Sequence, residues 1–94
     1  MNNLDKKIEL VNAITTLSIK ISTSSIIDIF VDFSSHIKSL SVKVLLNGWA
    51  EGNYKPDFNK TIYLDWNNAE KELQEVLDYL GGIKDEHSWK NQSI

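Results

Sequence analysis

Residues 26–47 read Ile26-Ile27-Asp28-Ile29-Phe30-Val31-Asp32-Phe33-Ser34-Ser35-His36-Ile37-Lys38-Ser39-Leu40-Ser41-Val42-Lys43-Val44-Leu45-Leu46-Asn47. Successive side chains on a strand point to opposite faces, so a run that alternates apolar and polar has one buried face and one wet one. Over Ile26 to Phe33, Ile27, Ile29, Val31 and Phe33 share one face while Asp28, Phe30 and Asp32 share the other. Over Ser39 to Asn47, Leu40, Val42, Val44 and Leu46 point inward and Ser41, Lys43 and Leu45 outward. The polar break Ser34 to Lys38 between the two runs makes them an antiparallel hairpin with a single apolar face.

Downstream, Lys60 to Trp66 alternates again, with Ile62, Leu64 and Trp66 against Thr61, Tyr63 and Asp65, and reads as a third strand. Three half-apolar strands need a cover. Upstream, Leu4, Ile8, Val11, Ile14 and Leu17 recur at helical spacing, widened by Leu10 and Ala13, with Asn3 as a cap. This predicts a helix over residues 3 to 18, followed by the connector Ser22-Thr23-Ser24-Ser25. After the third strand, Asn67-Asn68-Ala69-Glu70 offers a cap, and Ala69, Leu73, Val76, Leu77 and Leu80 form a second apolar stripe that Gly81-Gly82 should terminate. The expected fold is therefore α+β, in the order helix, three-stranded antiparallel sheet, helix (αβββα). Both helices should pack on one sheet face, as a single domain over 1–82 with a polar tail over 83–94 that includes Trp89.

The 94 residues suffice for one core only, since a chain of this size buries about 60–65% of its unfolded surface. With no cysteine there is no disulfide framework, no thiolate nucleophile and no Cys-rich zinc site. The start of the chain lacks the basic and apolar runs of a signal peptide, and no apolar run approaches a membrane span. A soluble, cytoplasmic protein without a membrane partner is expected. All ten basic residues are lysine, the net charge is −3 and the pI is near 5.2. Arginine supplies the bidentate grip on phosphates and guanine edges, so direct nucleic-acid binding is not expected.

The chemistry-bearing residue types do not assemble into a motif. His36 and His87 lack the paired spacing of metal ligands. Ser34, Ser35 and His36 near Asp32 hold the residue types of a catalytic triad, without an elbow or a glycine-rich oxyanion loop. Asp28 and Asp32 lie four strand residues apart, about 13 Å, wider than paired glycosidase carboxylates. No enzyme, cofactor or metal site is expected.

Two surfaces stand out instead. Phe30, Leu45 and Tyr63 fall on the nominally wet face of the sheet, near Trp49, Tyr54 and Phe58 of the long Gly48 to Asn59 connection. Exposed aromatics of this kind anchor interfaces. The second helix carries Glu70, Glu72, Glu75 and Asp78 against Lys71, an acidic surface able to steer toward a basic partner. These nine residues (Phe30, Leu45, Trp49, Tyr54, Tyr63, Glu70, Glu72, Glu75 and Asp78) form the expected protein interface. It would serve another protein or, alternatively, a second copy of the chain; a small ligand-binding domain or enzyme using His36 or the aromatic loop is the remaining reading.

The stretch from Asp28 through Val44 to Trp49 resembles small phage and prophage accessory proteins of Gram-positive bacteria. That resemblance carries no catalytic motif and no site residues. It implies a non-enzymatic binding protein whose partner is a host or phage protein, with inhibition of a host defence system such as a CRISPR effector as one role.

Overall fold

The computed structural model describes residues 4–48 and 55–92. It has the order α1 (Leu4–Ser24), β1 (Asp28–Ser34), β2 (Ser39–Leu45), β3 (Phe58–Tyr63) and α2 (Ala69–Gln92). The sheet is an antiparallel meander with β2 in the centre. The register brings Ile29, Val44 and Phe58 into one row across the strands, Val31, Val42 and Lys60 into the next, and Phe33, Leu40 and Ile62 into the third. These rows form the face on which both helices lie: α1 packs on β1, α2 on β3, and the helices pack on each other. The αβββα arrangement expected from alternation and helical spacing is thus the observed one. Its core joins Leu10, Ile14 and Ile21 of α1, the β2 residues, and Ala69, Leu73, Val76 and Leu80 of α2.

Both helices run further than their sequence boundaries. The Ser/Thr-rich segment 22–24, expected as a connector with Ser25, belongs to α1, because the hydroxyls of residues 23–25 bond back to carbonyls one turn earlier instead of breaking the helix. Thr23 donates to Ile19 O at 2.7 Å, Ser24 to Lys20 O at 2.7 Å and Ser25 to Ile21 O at 2.7 Å. The added turn buries Ile21.

At the other end, Gly81-Gly82 does not stop α2. The stripe Ala69, Leu73, Val76, Leu80 continues with spacing three to Ile83, which is 7% exposed and part of the core. Burying one isoleucine is worth about 1.5–3 kcal/mol, comparable to the roughly 1 kcal/mol lost at each helical glycine. Tertiary packing therefore outweighs the local stop signal. At the N-terminus of α2, Glu72 N–H donates to Asn68 O at 3.0 Å as the first helical bond, and Asn68 Nδ2 donates to the Glu72 carboxylate at 3.3 Å.

The chain between β2 and β3 is tied down where it is described. Asp57 N–H donates to Val44 O at 2.8 Å, and the Asp57 carboxylate accepts from Leu46 N–H at 2.7 Å. Gly48 has a φ of 81°, and a Cβ there would stand 2.8 Å from Ile26 O, so the turn out of β2 requires glycine.

Two measurements check this packing. A Cβ added at Gly82 meets nothing within 4 Å, so Gly82→Ala should stabilise the protein by about 1 kcal/mol in urea unfolding; a helix that ended at the glycines would show no gain. The Tyr79 ring stacks on Phe58 at 4.2 Å between centroids, and its phenol is pushed above the usual 10.0, first by burial and then by the nearby Asp57 charge. A raised pKa means the folded state holds the proton longer than the unfolded one, so stability is complete below the unfolded phenol value and falls as pH rises past it. Unfolding of wild type and Tyr79→Phe across alkaline pH should show the steeper loss in wild type.

Candidate interaction site

The outer sheet face does not gather the aromatics expected there. Phe30 is exposed and sits opposite Lys43, which in turn faces Asn59. Tyr63 lies on the opposite edge strand and four residues further along, roughly 16 Å away by strand spacing and rise. The ground between is polar: Ser41 and Thr61 join their hydroxyls at 3.1 Å, beside Asp32. Leu45, expected outward, is 5% exposed and lies outside the main core cluster, so it is no exposed anchor. Trp49, Tyr54 and the side chains of His87 and Trp89 lie outside the described residues.

Trp66 also departs from its expected place beside Ile62 and Leu64. β3 ends at Tyr63, and a turn closed by Trp66 N–H donating to Tyr63 O at 3.0 Å folds the indole back onto the Tyr63 ring, 4.6 Å between centroids. The stacked pair leaves Trp66 56% exposed.

The acidic residues of α2 divide. Glu72 turns to the sheet and forms an ion pair with Lys60 at 3.6 Å. Asp78 accepts from Gln74 Nε2 at 3.0 Å, and Glu70 and Glu75 flank a shallow polar depression with Asn67, Lys71 and Gln74. Glu75 and Asp78 are exposed, while Glu70 and Glu72 are half-buried.

One apolar feature was not among the expected residues. A groove of about 620 Å³ opens between the first two turns of α1 and the end of the sheet, lined by Leu4, Ile8, Val11, Phe33 and Leu64, with Lys7, Lys38 and Asp65 at its rim. Phe33 holds an inner-face position in the row of Leu40 and Ile62, which are 1% and 0% exposed, yet it is itself 57% exposed. Leu4 and Ile8 are 49% and 48% exposed. The helices cover the sheet everywhere in this row except at its β1 corner.

Three elements build the groove through one residue, Leu64. Leu64 N–H donates to Lys38 O at 2.8 Å, tying the end of β3 to the β1–β2 turn, and the Lys7 ammonium donates to Leu64 O at 2.6 Å, tying α1 to both. Lys38 itself has a φ of 55°, the left-handed conformation that non-glycine residues seldom adopt, and its ammonium donates to Ser35 O at 2.8 Å. That conformation turns the hairpin back into β2 and places a lysine at the groove's edge.

Helical geometry explains why α1 has apolar surface to spare. At about 100° per residue, Leu10, Ile14, Leu17 and Ile21 centre on one direction, and Leu4, Ile8 and Val11 on another roughly 120° away. The first set enters the core, and the second lines the groove while its Val11 also packs against the core. The signal in the sequence was the width of the α1 apolar arc, greater than one packing partner needs.

Among the described residues there is no group of three His, Cys, Asp or Glu side chains placed to hold a metal ion, and no helix is long and apolar enough to cross a membrane. His36 is exposed in the β1–β2 turn. No family model, curated protein or solved structure matches this chain.

Proposed function

We propose that this chain is a non-enzymatic protein-binding module, and that it acts by occupying a surface of a partner protein through the groove between α1 and the β1 corner of the sheet. The observation that carries this reading is the placement of Leu4, Ile8 and Phe33, three large apolar side chains left about half exposed around one groove. Scattered exposed apolar residues are ordinary, whereas a contiguous apolar groove with a polar rim is the signature of an interaction site. The groove stands partly open to solvent instead of enclosing a ligand, which favours a macromolecule over a small molecule.

The likeness of residues 28–49 to phage and prophage accessory proteins gives the reading its setting: a mobile element of a Gram-positive host, a cytoplasmic partner, and inhibition of a host defence system such as a CRISPR effector. An acidic surface at Glu75 and Asp78 adds steering toward a basic partner. A second reading, a homodimer, draws on the free edges of β1 and β3 in the meander.

The test is affinity capture from lysate of a low-GC Gram-positive host with three baits: wild type, Ile8→Ser/Phe33→Ser, and Phe30→Ala. One host protein retained by wild type and Phe30→Ala but lost from the double variant is the expected result. A protein retained equally by all three removes the groove from the account. Capture of the chain's own copies alone, with a dimer mass in solution, would replace this reading by the homodimer.

A further inference from the structure

The second apolar strip of α1 is longer than the groove, with Leu4, Ile8 and Ile19 exposed and Val11 and Thr15 half-buried between them. Leu4, Ile8, Val11, Thr15 and Ile19 recur at spacings of four, three, four and four, and fall within one narrow sector of the helix. Thr15 donates its hydroxyl to Val11 O at 2.9 Å, which satisfies its polar atom within the helix, and Ile19 is 59% exposed. The strip runs about 22 Å along α1 at 1.5 Å per residue. Spacings of three and four are those by which one helix seats another. The side of α1 that enters the core, Leu10, Ile14 and Ile21, lies about 120° around the helix from this seam.

The charge at the end of this seam is set by the groove rim. Lys7 and Lys38 each bond a carbonyl, which leaves the ammonium charge uncompensated, and neither has a carboxylate within ion-pair distance among the described residues. Asp65 is the one acid among the lining residues. The rim therefore carries a local net charge of +1 (two lysines less one aspartate) within a chain whose overall charge is −3.

We propose that the partner segment is an amphipathic helix of three to four turns that lies along the Leu4–Ile19 seam of α1, with an apolar residue seated against Phe33 and an acidic residue facing Lys7 and Lys38. This rests on the reading of the chain as a protein-binding module and specifies the partner's chemistry. An extended strand would not match helical spacing, and a basic helix would meet the two lysines.

The probe is a displayed library of helical peptides of about 20 residues, selected on the full chain and titrated by fluorescence anisotropy. The expected peptides carry apolar residues at i, i+3 or i+4, and i+7, together with Asp or Glu at one end. Their affinity should fall about tenfold or more with either Ile8→Ser or Ile19→Ser, both surface positions that leave the core intact. Lys7→Glu/Lys38→Glu should turn the selected charge from acidic to basic. Failure to enrich any helical peptide, enrichment without acidic bias, or binding indifferent to both serine variants would each overturn the inference. If a captured host protein still depends on Ile8 and Phe33 in that case, the binding-module reading stands without it; if capture is also indifferent to them, both fall.

Discussion

The inner face of β2 governs this fold. Leu40, Val42 and Val44 are at most 1% exposed, and each sits at the centre of a three-residue row that spans the sheet. Burying such side chains is worth about 1.5–3 kcal/mol apiece, which neither β1 nor β3 can supply alone, since a strand pair leaves one face open. The helices answer that requirement. α1 brings Leu10, Ile14 and Ile21, α2 brings Leu73, Val76 and Leu80, and the two meet over the central strand. The extension of each helix past its local stop signal follows from the same demand, since Ile21 and Ile83 lie in the turns that the Ser/Thr segment and the glycine pair were expected to break.

Among the described residues, covering β2 with two helices leaves the sheet's corner beyond α1 open, and there the groove arises. Phe33 carries the inward side of the alternation into a place where no helix lies above it. The Lys7–Leu64–Lys38 bonds hold α1, the end of β3 and the β1–β2 turn together around that gap, so the groove is a fixed feature of the packing. α1 then has two flanks in one arc: one belongs to the core and the other lines the groove.

Alternation and helical spacing made the element order and the sheet's inner face readable from the sequence, since period two and period 3.6 leave different traces. Residues whose fate depends on tertiary cover were less readable. Phe33, Leu45 and Trp66 each occupy the strand position that alternation assigns or extend it, yet their exposure is decided by where a helix ends or a turn begins. Phe30 was placed correctly on the outer face and is exposed, while Tyr63 is paired with a Trp66 that sequence reasoning had put on the other side. The acidic residues of α2 were visible as composition, but the diversion of Glu72 to Lys60 follows from the β3 register, which alternation alone does not provide. The groove was missed because it depends on the angle between two apolar stripes of α1, each of which reads in isolation as an ordinary core face.

The most direct measurement is the relaxation of methyl protons by a soluble paramagnetic probe, recorded by NMR on the intact chain. This account predicts strong relaxation at Leu4, Ile8 and Ile19, and near-complete protection at Ile14, Leu40, Val42 and Ile62. Protection of Leu4 and Ile8 equal to that of the core in a monomeric sample would mean that α1 closes over the Phe33 corner, and would contradict the existence of an open site.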